Sequence, residues 1–128
     1  MTITKPLIEQ LCHLPWSDQY GCWISAWGLI DEANMDMFGP NRDHPAPAPD
    51  EVRMCREWLE ECPPRKTINR EHTSYGWKHV IEKERKCYVS NGALLLAASE
   101  LGIAGRREDY RSPNACLAIS DRRRNGVI

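Results

Sequence analysis

The sequence has no long apolar run and no motif of a familiar catalytic class. No window approaches the roughly 18 to 20 apolar residues that a membrane helix needs, and the start MTITKPLIEQLCHLP has no basic stretch followed by an apolar segment. The patterns GxSxG and HExxH, the EF-hand loop and the Gly-rich phosphate loop do not occur either. We therefore expect a cytoplasmic protein that is not an enzyme and needs no cofactor.

The cysteines lack the paired CxxC spacing that is typical of a zinc site. The six positions are Cys12, Cys22, Cys55, Cys62, Cys87 and Cys116. Because no secretory signal precedes them, we expect reduced and mostly buried thiols rather than disulfides. No metal site is predicted.

What the chain does have is a globular composition with an uneven charge. A length of 128 residues and a hydrophobic content of 41% correspond to one folded domain. Residues 1–49 carry two basic and six acidic side chains, a balance of −4, whereas residues 50–128 carry fifteen and twelve, a balance of +3. Such a split favours a charged macromolecular partner, although a chance imbalance over mixed solvated faces gives the same count.

Proline divides the chain. The stretch GPNRDHPAPAPD at 39–50 contains four prolines, which fix their own φ and keep the preceding residues out of the helical region. The predicted division is an acidic, Trp-rich N-terminal segment (1–38), a Pro-rich connector (39–49), a helical body (50–120) and a basic tail (121–128).

Capping residues and apolar spacing predict two helices at the start of the body. Asp50 is the expected N-cap of the first, which ends before Pro63. Ser74 is the expected N-cap of the second. The residues predicted to face inward on the second helix are Trp77, Val80 and Ile81, and those predicted to face solvent are Lys78, Glu82 and Lys86.

A third helix is predicted over 91–101, with Ser90 as N-cap and Gly102 as a left-handed C′ residue. Its residues are almost all apolar, which is typical of a helix surrounded by other elements. A fourth short helix is predicted from Ser112, with a strand through NACLAIS as the alternative.

The N-terminal segment is predicted to contain two more helices, over 4–13 and 20–38. For the second, the length of the segment favours a buried helix slightly over a strand, although its Trp, Ile and Gly residues are less typical of a helix. The predicted fold class is therefore mainly α. We expect a compact helical domain around the central apolar helix, with an N-terminal helical segment joined by the Pro-rich connector.

The stretch INREHTSYGWKHVIEK at 68–83 concentrates polar chemistry around a predicted helix start. The N-terminus of a helix attracts anions, so Arg70, His72, Tyr75 and His79 are interpreted as a recognition patch. Acid–base catalysis by the two histidines is an alternative that needs an orienting carboxylate, and surface or capping histidines explain the same pattern.

Tryptophan and acidic residues concentrate in the N-terminal segment. Trp23 and Trp27 are spaced to share a helix face, and Asp31 and Glu32 follow them. An acidic face with aromatic anchors suits a basic protein surface, including one that normally holds nucleic acid. Core packing is the alternative explanation for the tryptophans. The predicted partner-binding residues are thus Trp23, Trp27, Asp31, Glu32, Arg70, His72, Tyr75 and His79.

Basic residues of the body and tail support a second hypothesis, direct binding to nucleic acid through phosphate contacts. A helix-turn-helix is disfavoured because ALLLAAS offers almost no polar residue to a groove. The residues predicted for this alternative are Arg65, Lys66, Lys78, Lys83, Arg85, Arg122, Arg123 and Arg124.

Three stretches, NREHTSYGWKHVIEK (69–83), YVSNGALLLAASELGI (88–103) and SPNA (112–115), resemble small, mostly uncharacterised proteins encoded by phages, prophages and related mobile elements. The resemblance carries no catalytic residues. It implies stoichiometric binding to a host protein or ribonucleoprotein complex, with nucleic acid as a further partner and no membrane. The function we expect is inhibition of a host nucleic-acid-targeting defence complex, similar in kind to an anti-CRISPR protein.

Overall fold

The computed structural model describes residues 7–38, 44–63, 65–123 and 126–127. Its N-terminal part contains a short helix α1 (Leu7–Leu11), three strands and a 3₁₀ turn (Met35–Phe38). The strands β1 (Trp16–Ser17), β2 (Cys22–Ser25) and β3 (Gly28–Ile30) form an antiparallel sheet in the order β1-β2-β3. The helix predicted over 20–38 is therefore wrong.

The backbone explains why residues 20–38 do not form a helix. Gly28 has a φ of +130°, which a side-chain-bearing residue rarely adopts, so the chain turns there and starts a new strand. The register then pairs Trp23 with Ile30 and Ile24 with Leu29. The strands have only two to four residues, too few for a period-two pattern to stand out from a helical one.

Helix α2 (Pro49–Glu60) begins without a side-chain cap. Its N-cap is Ala48, and Pro49 occupies the first turn, where its missing N–H costs nothing. The predicted Asp50 cap is therefore wrong. Cys55, Trp58 and Leu59 form the buried face of the helix.

Helix α3 (Ser74–Arg85) is capped by Thr73, whose hydroxyl accepts a hydrogen bond from the Gly76 amide. Ser74, the predicted cap, is the first helical residue. Its buried hydroxyl accepts a 3.1 Å hydrogen bond from the Ala115 amide on a neighbouring strand. A tertiary contact therefore decides which of the two adjacent hydroxyl residues caps the helix.

Helix α4 (Asn91–Glu100) confirms the predicted third helix and both of its ends. Ser90 caps it by accepting from the Ala93 amide at 3.0 Å. Gly102 has a φ of +73°, and the Ile103 amide donates to the Ala98 carbonyl, which together complete a Schellman motif. At the other end, a Cβ on Gly92 would overlap the Ser25 carbonyl, so the first turn of α4 lies directly on the β2–β3 turn.

After α4 the chain forms two further antiparallel pairs. Strands β4 (Gly105–Arg107) and β5 (Ala115–Leu117) pair with Arg106 opposite Cys116, and strands β6 (Arg122–Arg123) and β7 (Gly126–Val127) pair with each other. The helix predicted from Ser112 is wrong, and the alternative strand through NACLAIS is confirmed.

The core joins helices and strands, so the mainly α fold class is wrong and the fold is mixed α/β. Helix α4 contacts α2, α3, β2 and β3. Cys22, Ile24 and Leu29 from the N-terminal sheet belong to the same buried cluster as Trp58 and Trp77, whose ring centroids lie 5.7 Å apart. Within the described residues, no helix is both long and apolar enough to cross a membrane.

Candidate functional site

His72 lies in the loop before α3 and contacts Asp121, which follows β5. Its Nε2 is 3.1 Å from Asp121 Oδ1, and its ring packs 4.8 Å from the ring of Trp77. Asn69, fully buried, donates to the same carboxylate oxygen at 2.6 Å. This Asn69 hydrogen bond, with smaller contributions from His72 and Glu71, lowers the pKa of Asp121. The cluster fastens residue 121 to the start of α3.

Three ligand-type side chains meet in this cluster. One atom from each of Glu71, His72 and Asp121 lies within 4.8 Å of the others, and no second group of this kind occurs among the residues that the structure describes. Glu71 is exposed, and the other two side chains are more than a third exposed. Asn69 and His72 both contact Asp121 Oδ1, and these contacts give the cluster a structural role: they hold residue 121 against the loop before α3.

Lys78, predicted to face solvent, is buried. Its Nζ donates to Glu82 Oε2 at 2.7 Å and to the Val89 carbonyl at 3.0 Å, and its side chain is only 8% exposed. The Tyr88 ring lies 4.5 Å from the ammonium. The i, i+4 spacing was correct for an ion pair but could not indicate that the segment after α3 folds back over it.

The Glu82 carboxylate is the centre of this network. Besides Lys78 it accepts from the Val89 amide at 3.3 Å and lies 3.0 Å from His79 Nδ1. Burial alone would raise the pKa of Glu82, but these hydrogen bonds together outweigh it and lower the pKa. Tyr75 packs edge-on against His79 at 4.6 Å, and both are about half exposed. Oε2 of Glu82 therefore binds the α3–α4 connection through Val89, whereas Oε1 faces His79 on α3 itself.

The four residues predicted to form an acidic aromatic face do not lie on one helix face. Trp23 and Trp27 do not share a helix face, because Trp23 lies on β2 and Trp27 in the β2–β3 turn, where its carbonyl accepts from Asn91. Asp31 forms an ion pair with Arg107 at 2.6 Å, whereas Glu32 is exposed. Of these four residues, Asp31 has a structural role that the sequence did not indicate.

The exposed aromatic anchor of this region is Trp16. It lies on β1, the edge strand of the sheet, and is 53% exposed, with its ring edge-on to Trp23 at 4.8 Å. Its indole N–H donates to Asp18 Oδ1 at 3.0 Å. The sequence placed Trp16 among acidic residues, but only the strand assignment reveals that its side chain points outward.

Trp16 borders a groove of about 390 Å³ between the β1–β2 turn and the C-terminal end of α4. Asp18 and Gln19 line one side, and Ser99 and Ile103 line the other. Gln19 spans the two parts, since its Nε2 donates to the Ile103 carbonyl and its Oε1 accepts from the Gly105 amide. We call this feature the Trp16 groove.

The Trp16 groove has the electrostatic character of a cation site. An indole ring attracts a guanidinium or ammonium through its π face. The Asp18 carboxylate adds a negative charge, and the C-terminal end of a helix carries a partial negative charge. Three separate features therefore favour an Arg or Lys side chain there.

The residues of the nucleic-acid alternative have different surroundings. Lys78 is buried, and Arg85 pairs with Glu61 at 2.7 Å, so these two already have partners within the chain. Arg65, Lys66 and Lys83 are exposed. Arg122 and Arg123 form β6, where only the backbone is described, and Arg124 lies outside the described residues.

A scan against protein-family models, a search of curated proteins and a search of solved structures each returned no match. The interpretation of the site therefore depends on its own geometry.

Proposed function

We propose that this protein acts by stoichiometric binding, and that it inhibits a host nucleic-acid-targeting complex in the manner of an anti-CRISPR protein. The observation that carries the proposal is the Trp16 groove: an exposed tryptophan on an edge strand, beside a carboxylate and a helix C-terminus. Exposed Trp is among the residues most enriched at binding hot spots.

The partner's chemistry follows from the charges of the groove. A protein surface that holds nucleic acid presents Arg and Lys side chains, and the Trp16 groove accepts one such side chain over an indole ring and next to Asp18. Occupying those residues on the host complex competes with its nucleic acid. The interaction needs no turnover, in keeping with the absence of a catalytic motif from the sequence.

The test compares Trp16→Ala and Asp18→Asn with the matched control Tyr110→Ala, which removes another aromatic side chain, 75% exposed, outside the groove. The tagged full chain is used to retain host proteins, which are identified by mass spectrometry. The affinity for the retained protein is then measured for each variant.

We expect the wild type and Tyr110→Ala to retain a nuclease or another nucleic-acid-binding subunit. Trp16→Ala should weaken binding by about 2 kcal/mol or more, a loss of roughly thirtyfold. Added nucleic acid should compete, and Asp18→Asn should bind more weakly and with less dependence on salt. Equal retention by Trp16→Ala and Tyr110→Ala, or binding insensitive to nucleic acid, would refute the proposal.

A further inference from the structure

A second concave feature lies between the loop that precedes α3 and the β4–β5 pair. It is an open cavity of about 190 Å³, lined by Ile68, Arg70 and Thr73 on one side and by Arg106, Arg107, Glu108 and Cys116 on the other. At roughly 30 Å³ per water molecule, its volume equals about six waters, which is enough for a small polyatomic anion. We call it the arginine cavity.

The strand register brings the polar side chains of the arginine cavity together. Arg106 is directly opposite Cys116 in the β4–β5 pair, so their side chains share one face of the ribbon. Arg70, Glu108 and Cys116 line the same cavity, and the charges of Arg70 and Glu108 act in opposite directions on the pKa of the Cys116 thiol. Burial is the main cause that raises the pKa of Cys116, so this thiol stays neutral beside the two arginines.

The arginines of this cavity differ from those elsewhere in the fold. Five of the eight arginines whose side chains are described form an ion pair with a carboxylate: Arg53, Arg56, Arg85, Arg107 and Arg111. Among the described residues, Arg70 and Arg106 form none, although both are exposed and line the same cavity. The third arginine without a carboxylate partner, Arg65, lies in the loop that leads to Ile68 and hydrogen-bonds Thr67.

We propose that the arginine cavity binds a phosphate group. Arginine presents a planar fork of donors that fits a phosphate in a bidentate manner, and two arginines that form no ion pair among the described residues line this cavity. Thr73, the N-cap of the 12-residue helix α3, lines the cavity and adds the positive end of the helix dipole. The site involves neither Trp16 nor Asp18 and is independent of the proposed function.

Glu108 allows a test of the proposed phosphate binding in the opposite direction, because it is the acidic residue in the lining of the arginine cavity. Its Oε1 accepts a 2.8 Å hydrogen bond from Ser112, which holds the carboxylate at the edge of the cavity. A negative charge there opposes an anion. Removing it should therefore strengthen phosphate binding, whereas removing Arg70 or Arg106 should weaken it.

The experiment has two arms, which distinguish the possible sources of the phosphate. In the first, fluorescence polarisation measures the binding of labelled single-stranded DNA and RNA to the full chain across a salt series. In the second, thermal unfolding is followed with inorganic phosphate and with pyrophosphate. The variants are Arg70→Ala, Arg106→Ala and Glu108→Gln, and the matched control is Arg53→Ala, an exposed arginine on α2.

We expect each alanine variant of the cavity to lose about tenfold in affinity and about one unit of salt slope, Glu108→Gln to bind more tightly, and Arg53→Ala to bind like the wild type. Oligonucleotide binding with this pattern identifies a nucleic-acid phosphate as the ligand. Stabilisation by phosphate or pyrophosphate alone, with the same pattern, identifies a small phosphate compound.

No effect in either arm, or equal losses in Arg53→Ala and Arg70→Ala, would overturn the proposal. Urea midpoints for every variant show whether it folds. If an alanine variant does not, Arg70→Lys and Arg106→Lys replace it, because they keep the charge but lose the bidentate geometry and should bind more weakly than the wild type.

Discussion

The buried ion pair of Lys78 and Glu82 supports the sharpest prediction about stability. Glu82→Gln leaves the Lys78 ammonium, 8% exposed, with the Val89 carbonyl but without its carboxylate. Breaking a buried pair in this way costs about 3–5 kcal/mol, and the lower end applies here because the Glu82 side chain is 21% exposed. Lys78→Met keeps the apolar stem and removes the charge, so a loss of roughly 1.5–3 kcal/mol is expected.

The double variant distinguishes a coupled pair from two separate contributions. Each single substitution leaves one charge uncompensated, whereas Lys78→Met with Glu82→Gln removes both. The combined loss should therefore be smaller than the sum of the single losses by about 1–3 kcal/mol. Urea denaturation at neutral pH gives the free energy of unfolding of each variant by linear extrapolation.

Arg53 and Asp50 provide the matched control, an i, i+3 pair on α2 whose side chains are 70% and 87% exposed. Arg53→Ala should change the free energy of unfolding by no more than about 0.5 kcal/mol. If Glu82→Gln were equally mild, or if the two substitutions were additive, the Lys78–Glu82 network would not hold the α3–α4 connection and the reasoning would be wrong.

Three further predictions concern pH, packing and thiol reactivity. Because the pKa of Glu82 is lowered in the fold, its contribution to stability is complete above the unfolded pKa of about 4.3 and is lost as the pH falls through the folded pKa. Glu82→Gln should therefore remove part of the loss of stability at acid pH, which is measured as the urea midpoint at each pH. Gly92→Ala should destabilise by about 1–3 kcal/mol or more, whereas Gly76→Ala, where a Cβ meets nothing, should stabilise α3 by about 0.5–1 kcal/mol in the same denaturation assay. A thiol reagent should modify exposed Cys87 in the native protein but Cys55 only on unfolding, since burial raises the pKa of Cys55 to about 12. Peptide mapping locates the modified cysteine, and rapid modification of Cys55 in the native protein would contradict its burial.

The parts of the fold that the sequence predicted well are those set by local chemistry. Ser90 and Gly102 bracket α4 because a hydroxyl cap and a left-handed glycine act within a few residues of themselves. Thr73 and Ser74 could both cap α3, and the choice depends on the Ala115 amide, 41 positions away from Ser74, which needs an acceptor. Such a contact leaves no trace in the local pattern.

The surroundings of the candidate site residues were predicted less well, because they too depend on tertiary contacts. Tyr75 and His79 are exposed, as a recognition patch requires, but Lys78 between them is buried by a segment that follows the helix. Arg106 joins Arg70 only through the pairing of β4 with β5. Sequence spacing indicates neighbours along one element, whereas these groups meet through tertiary structure.

The uneven charge along the sequence is partly cancelled when the chain folds. Asp31 pairs with Arg107, and Asp36 pairs with Arg111, so part of the N-terminal negative charge is neutralised by C-terminal arginines when the chain folds. The cation preference that we propose for the Trp16 groove therefore does not follow from the overall balance. It follows from one indole, one carboxylate and one helix end, which Gln19 holds together by hydrogen bonds to residues more than 80 positions away. Because neither the N-terminal sheet nor α4 forms this groove alone, a partner that binds there recognises the two in their packed arrangement.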